Sequence, residues 1–406
     1  MRKFPLHYQI FVAIALSIVF GLILPSYSVY FEWMGDIFLR ALKMIAIPLI
    51  ATSLISGVSQ LGSNLSEFRR IGLKTILYYL STSFLAITTG LILFNIFNPG
   101  KGVNLDFLLH KIDKEIVQPK SLYDTLIEII PENIFSAFTN NNTLAIIFFS
   151  LLFGVFITQV KAEYTATLSN FFKSAFEVLM KITLFIIKFA PLGVFGLIYK
   201  VVANETHITD YFTELGKFAL IVLAGLIIHF GIILPLILYL IGKINPFKHI
   251  KNMSKALLTA FSTASSNATL PVTIECVEDE SGVSEKVSQF TLPMGATINM
   301  DGTALYELAV AMFVAQASAD FDLTFTKQII MVVTALLASI GTAGVPMASV
   351  VAMTIVFSAI GLPIEAIAVI FPVDRILDMF RTTVNVWSDS CGAVLIAKSE
   401  GEKLDV

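Results

Sequence analysis

Long apolar stretches, poor in charge, recur along the first part of the chain. Tyr8–Leu24, Met34–Val58, Leu73–Phe97, Leu144–Val160, Ala175–Val202 and Phe218–Gly242 are the convincing candidates for membrane spans. A span needs roughly 20 apolar residues of helix to cross about 30 Å of hydrocarbon. The second stretch contains Arg40 and Lys43, so its charged side must meet protein or the membrane interface. Beyond Lys243 the apolar segments shorten and are broken by clusters of Gly, Ser, Thr, Asn and Pro. None of these runs alternates with a period of two. Within a bilayer only helices or closed barrels satisfy the backbone, so helices are expected throughout.

Two of the polar interruptions share a form. Ser262-Thr263-Ala264-Ser265-Ser266-Asn267-Ala268-Thr269-Leu270-Pro271 and Ser339-Ile340-Gly341-Thr342-Ala343-Gly344-Val345-Pro346 are both small-residue runs closed by proline. The arm before the second, Gln328–Ala338, reaches only about 16 Å as a helix, too short to span. Two re-entrant hairpins are the expected structure, with non-helical tips that are tolerable at membrane depth only where they line a cavity. Paired breaks of this kind point to a transporter's binding site.

Composition agrees with a polytopic membrane protein: 56% of the 406 residues are hydrophobic and 14% are charged, about half the usual charge of a soluble domain. A net charge of -3 without a basic region gives no sign of nucleic-acid binding. Two cysteines and five scattered histidines form no disulfide framework and no metal-ligand spacing. Arg2 and Lys3 before the first run mark a retained helix rather than a cleaved signal. Lys and Arg in the short connectors place both termini in the cytoplasm.

Against this scarcity the last helix stands out. Asp374, Asp378, Arg381, Thr382, Asn385 and Asp389 fall within an arc of about 100° on one helical face. A charge at the bilayer centre costs on the order of 3 kcal/mol even on insertion scales, so these groups need partners. Asp378 and Arg381 can pair at i, i+3, which leaves Asp374 and Asp389 unpaired. A second acidic cluster is Asn299-Met300-Asp301-Gly302-Thr303, where Gly302 would loosen the helix and free carbonyls beside Asp301. Such oxygen-rich sites suit hard cations such as Na⁺. Asp301, Asp374, Asp378 and Asp389 against Arg381 leave three negative charges for bound cations, protons or a substrate ammonium to offset.

These segments resemble the glutamate/aspartate transporter family, the dicarboxylate/amino acid:cation symporters that include the excitatory amino acid transporters. The likeness covers nearly the whole chain. It rests on Ser265–Pro271, Asn299–Thr303, Ala338–Pro346 and the last-helix pattern, all in the family's order and spacing. The resemblance implies an all-α polytopic membrane protein with eight transmembrane helices and two re-entrant helical hairpins in inverted repeats, assembled as a homotrimer in the inner (plasma) membrane. Residues 1–70 (spans 1 and 2) and 99–202 (outer loop, spans 4 and 5) would form a fixed scaffold. Residues 71–98 (span 3) and 203–398 (span 6 to span 8 with both hairpins) would form a unit that slides like an elevator, and 399–406 a cytoplasmic tail.

The same resemblance implies an acidic amino acid as substrate. Arg381 would take its side-chain carboxylate and Asp378 its ammonium. Thr303, Thr382 and Asn385 would complete the pocket, with backbone from Ser266 and Val345 and with Ser349 against the substrate. Three Na⁺ would be coupling ions, with no organic cofactor. One would use Asp389, Asn385 and carbonyls of Gly295 and Asn299. A second would use carbonyls of Thr297, Ser339, Ile340 and Thr342. A third would use Tyr79, Thr82, Ser83, Asn299 and Asp301, with Met300 counted among the same broken segment's metal set. A guanidinium can grip a carboxylate in a bidentate fork, so Arg381 favours a substrate with a second carboxylate.

The chain also departs from its relatives. Ser349 stands where they usually have glycine, Ala264 where some archaeal members have arginine, and Glu307 where archaeal members usually have glutamine. Glu307 has two readings, a proton carrier or a hydrogen-bonded structural carboxyl. Na⁺-coupled uptake of aspartate or glutamate is the leading function. A proton-coupled carrier, or one selective for dicarboxylates, cystine or neutral amino acids, is the alternative within the same fold, and an ion channel is a different class. No Ser/His pair, Gly-x-Gly-Asp or metal motif supports an enzyme.

Overall fold

The computed structural model describes residues 6–60, 66–101, 127, 130–140, 142–204, 208–318, 321–341 and 348–406. Among them there are helices and turns but no strand, as the pattern predicts. The first part comprises α1 (Leu6–Ile23), α2 (Glu32–Gln60), α3 (Ser66–Phe97), α4 (Ile134–Thr139), α5 (Thr143–Ile157), α6 (Ala162–Ile187), α7 (Ala190–Asn204) and α8 (Ile208–Ile228). Asn133 and Asn142 start α4 and α5 by accepting hydrogen bonds from backbone amides of the first turn. Among the described residues, Glu32–Ser59, Arg70–Phe97 and Tyr211–Gly242 are each long and apolar enough to cross a membrane.

Two predicted spans come out differently. Ala175–Val202 is built from α6 and α7, which meet at a bend of 55°. Leu144–Val160 ends early: α5 has 15 residues, about 23 Å. Its end tightens where Thr158 N donates to Val155 O. α8 continues to Gly242 through two wide π turns, His229–Ile233 and Leu238–Gly242. Pro235 follows the first of them and has no N–H for the preceding turn, which the extra residue of a π turn accommodates.

The second part comprises α9 (Pro246–Asn252), α10 (Ser254–Thr263), α11 (Ser266–Glu275), α12 (Glu285–Ile298), α13 (Asp301–Ala317), α14 (Phe325–Gly341), α15 (Ala348–Ile360) and α16 (Phe371–Ser399). The first polar interruption is a helix-turn-helix. Ala264 takes a left-handed conformation (φ 50°), and Ser265 Oγ accepts from Ala268 N to start α11. Each arm has 10 residues, about 15 Å. At the second interruption the arm is longer than Gln328–Ala338: α14 has 17 residues, about 25 Å and still short of a full span. Thr342, Val345 and Met347 lie outside the described residues.

α13 is the centre of the second part. Every residue from Asp301 to Ala315 is buried, and α3, α8, α14, α15 and α16 pack around it. Its apolar residues therefore occupy all faces rather than one stripe. One large apolar cluster joins α1, α2, α3, α7 and α8 to α13–α15. A second gathers the start of α3, the helix-turn-helix, α12 and the end of α16. Large apolar side chains also line the outside, among them Ile23, Leu220, Tyr239, Ile241, Leu258 and Phe325, as a lipid-facing surface requires. The two cysteines, Cys276 and Cys391, are free and buried.

After α16 the chain turns back over the second cluster. Glu400 pairs with Arg70 and Lys74 at the start of α3. Glu402 accepts from the backbone N and the hydroxyl of Ser284, at 2.9 and 2.6 Å. Asp405 N donates to Ser281 O, and Leu404 and Val406 pack on the apolar cluster. Residues 400–406 thus strap α3 to the connector between α11 and α12.

Candidate functional site

The site is organised by the break between α12 and α13. α12 ends at Ile298; Asn299 and Met300 leave helical geometry, and α13 restarts at Asp301. A break leaves carbonyls of the last turn and amides of the next first turn without intrahelical partners. Gly302 does not cause it, contrary to expectation. Gly302 lies in the first turn of α13, where a Cβ would stand 2.6 Å from Arg381 O of α16. Its bare backbone lets the two helices touch, and Gly302 N donates to Asn385 Oδ1 at 2.8 Å.

Gly295 serves the same purpose one turn earlier. A Cβ there would lie 2.5 Å from Asp389 Oδ1 and 2.8 Å from Tyr79 OH. Asn299 Nδ2 donates to Asp389 Oδ1 at 2.8 Å and to Ser388 Oγ at 3.0 Å. Asn385 Nδ2 donates to Thr303 Oγ1 at 3.1 Å and contacts Met300 Sδ at 3.2 Å. Gly295, Asn299, Asp389 and Tyr79 are therefore neighbours, and Asn385, Met300 and Thr303 adjoin them along the α13–α16 contact.

Asp301 holds the next group together. Its Oδ1 accepts from Ser83 Oγ at 2.6 Å and lies 3.3 Å from Thr82 Oγ1, which is also 3.3 Å from Asn299 Oδ1. Its Oδ2 accepts from Ser388 Oγ at 2.7 Å and lies 2.9 Å from His229 Nε2. All of these side chains are buried. A carboxylate, two hydroxyls and an amide oxygen, with no thiolate among them, form a donor set for a hard cation.

The remaining predicted set is only partly assembled. Thr297 and Ile340 line one cavity of about 400 Å³ that also reaches Ser53 and Ser56 of α2 and Lys173 and Glu177 of α6. Ser339 Oγ donates within its own helix to Leu336 O. Glu307 is fully buried in α13.

Arg381 is the most deeply buried cation on α16, with no exposed surface. Its Nη2 donates to Asp378 Oδ1 at 2.8 Å, its Nη1 lies 3.3 Å from Asp374 Oδ1, and its guanidinium stacks 3.8 Å from the Tyr306 ring. Arg375 Nη1 donates to the other Asp378 oxygen at 3.0 Å. Asp374 is therefore paired, against expectation, and Arg375 enters the charge count. The four residues Asp374, Arg375, Asp378 and Arg381 balance, so Asp301 and Asp389 remain rather than three net negatives.

Thr382 Oγ1 donates to Asp378 O at 2.8 Å, within α16. Ser266 opens α11 and is buried, and Ser349 is buried with a hydroxyl that has no hydrogen-bond partner among the described residues. Neither is hydrogen-bonded to the Arg381 group among the described residues.

His229, Tyr306, Arg375 and Ser388 belong to the site and escape the sequence reading. His229 is a polar ring inside the apolar Phe218–Gly242 run, and Arg375 stands at i, i+3 from Asp378. Both were visible signals. Tyr306 and Ser388 meet their partners only across helices.

Comparison with known proteins gives the chain its family. A family model described as the sodium:dicarboxylate symporter family matches residues 6–399. Excitatory amino acid transporter 3 of Oryctolagus cuniculus is 37% identical over 97% of this chain and 86% of its own length. The proton/sodium-glutamate symport protein of Geobacillus stearothermophilus is 37% identical over 99% of this chain and 96% of its own. Excitatory amino acid transporter 3 of Homo sapiens is 36% identical over 97% and 86%. The chain thus belongs to the sodium:dicarboxylate symporter family, and it is a transporter rather than an enzyme.

Proposed function

We propose that the protein is a Na⁺-coupled symporter of an acidic amino acid, L-aspartate or L-glutamate. The observation that carries this reading is the buried Arg381. Its Nε has no hydrogen-bond partner among the described residues, and its Nη1 is ion-paired with Asp374 at 3.3 Å without a hydrogen bond, so donors are in place for a carboxylate, and Asp378 beside it can receive an ammonium. Bidentate recognition by guanidinium is selective for a carboxylate's geometry. The relatives whose names specify excitatory amino acids or glutamate support the same substrate class.

The coupling ions are assigned to the two carboxylates left unbalanced, Asp301 and Asp389. Na⁺ at each would neutralise them before the unit moves. Tyr79, Thr82, Ser83, Asn299 and Asp301 supply one set; Gly295, Asn299, Asn385 and Asp389 supply another. Thr297, Ser339, Ile340 and Thr342 would supply a third. In the second reading a proton is the coupling ion: one relative's name includes it, and Glu307 is buried in the same helix as Asp301.

The protein is taken to lie in the inner membrane as a homotrimer with eight spans, two re-entrant hairpins and both termini in the cytoplasm. α3 and α8–α16 would move as an elevator against α1, α2 and α4–α7. In support, the site draws its side chains from α3, α8, α12, α13 and α16, all on the moving side of that division.

Purified protein in liposomes should accumulate labelled aspartate only under an inward Na⁺ gradient. Equal uptake from a pH gradient without Na⁺ would overturn the Na⁺ assignment. Arg381→Ala should abolish this uptake, and unchanged aspartate affinity would refute its role.

A further inference from the structure

The two guanidinium groups on α16 share one carboxylate. Arg381 Nη2 donates to Asp378 Oδ1 and Arg375 Nη1 to Asp378 Oδ2, at 2.8 and 3.0 Å. Arg381 has a second acidic neighbour in Asp374 and a ring beneath it in Tyr306. Among the described residues, Arg375 is paired with Asp378. The side chains of both Arg375 and Asp378 are 10% exposed, whereas Arg381 is fully enclosed.

We propose that Arg375 is a positioning residue for substrate recognition, holding Asp378 Oδ2 so that Oδ1 faces the substrate's ammonium. The inference rests on the reading above, in which Asp378 receives that ammonium. When the substrate's carboxylate takes the fork of Arg381, Asp378 Oδ1 loses its donor as the ammonium arrives. A carboxylate with one oxygen pinned has little freedom to turn away. Without Arg375, Asp378 would have Arg381 as its main partner and could follow it, and ordering the carboxylate again would be charged against binding.

The geometry explains why residue 375 suits this role. On a helix, i and i+3 are neighbours, so Arg375 reaches Asp378 from the side opposite to Arg381, itself three residues further on. The planar guanidinium restrains the carboxylate's orientation better than a point charge would. Arg375 also keeps the four-residue group neutral while Arg381 changes partners, which matters for charges removed from water.

The test compares wild type, Arg375→Gln, Arg375→Lys and Asp378→Asn, each first checked for a monodisperse elution profile. Uptake into liposomes under an inward Na⁺ gradient gives half-saturation and maximal rate for L-aspartate. Binding in saturating Na⁺ is compared for L-aspartate and for succinate, which has both carboxylates and no ammonium. Arg375→Gln should raise the half-saturation concentration for aspartate by about tenfold or more. Its maximal rate should stay within about twofold and its succinate binding should hardly change. Arg375→Lys should fall between the two.

Equal shifts for aspartate and succinate, or a loss confined to maximal rate, would overturn the proposal. Asp378→Asn separates it from the reading beneath. If that variant still prefers aspartate over succinate as wild type does, the ammonium assignment of Asp378 fails. If it loses the preference while Arg375→Gln keeps it, only the role of Arg375 fails. Should Arg375→Gln not fold, Arg375→Lys decides by the same ratio.

Discussion

A single methyl group on residue 295 would fill the space where α3, α12 and α16 meet, because it would press on Asp389 Oδ1 and Tyr79 OH together. Overpacking of this kind commonly costs about 1–3 kcal/mol. Gly295→Ala should therefore raise the Na⁺ concentration for half-maximal aspartate binding by about tenfold, measured by Na⁺ titration at fixed aspartate. An unchanged Na⁺ titration would remove Gly295 from the cation set. At this scale the sequence is legible wherever a polar group sits in apolar surroundings. Asp301, Asp378, Arg381 and Asp389 stand out because a lone charge there is costly, and the fold buries all four in the polar contacts of α13 and α16. Roles that depend on a distant partner are not legible: Gly302 looks like a helix breaker until Arg381 O is found against it.

Among elements, the short ones carry the information. The break at Asn299 and Met300 delivers an amide oxygen to Thr82 of α3 and an amide N–H to Asp389 of α16 at once. The wide turn at His229–Ile233 places a histidine beside Asp301 where regular helix would continue. Neither is readable from hydropathy, which gives an apolar run but not its internal geometry. For the same reason α5 ends at Ile157, where Thr158 N turns to Val155 O, rather than where its apolar residues do.

The strap of residues 400–406 is equally invisible in the pattern, since its partners lie more than a hundred residues away. A hydrogen bond from Lys74, with help from Arg70, holds the Glu400 carboxyl below the usual carboxylate range. The pairing is present above that range and is lost as pH falls through the lowered pKa. Glu400→Gln should increase deuterium uptake in residues 400–406 at neutral pH without a matching change in α13. Protection equal to wild type would show that Glu402 and the apolar contacts suffice.

For the whole molecule, the scarcity of charge is the feature that organises everything else. It predicts the all-helical membrane architecture and directs attention to α16, but it does not reveal that Arg375 completes a neutral foursome. The pH response of the folded state comes partly from outside the spans. His249 of α9 is buried against Trp387, with Nδ1 3.1 Å from Ser281 Oγ, and burial pushes its pKa down to about 3. The unfolded chain binds that proton near pH 6.5. Stability from this residue is thus complete above about pH 6.5 and declines as pH falls toward 3. His249→Phe keeps a ring against Trp387 and cannot charge, so its melting temperature should fall less steeply than wild type between pH 6.5 and 4. Parallel melting curves would exclude His249 as a source of acid sensitivity.

The burial of Cys276 and Cys391 has a practical consequence. A thiolate reacts far faster than a thiol and must be reached by the reagent, and these two side chains are 3% and 0% exposed. Maleimide probes placed on an engineered surface cysteine should therefore meet little background in the native fold. Paired spin labels or dyes on α2 and α11 could then report the distance between the two helix groups during turnover, without first removing the native sulfur.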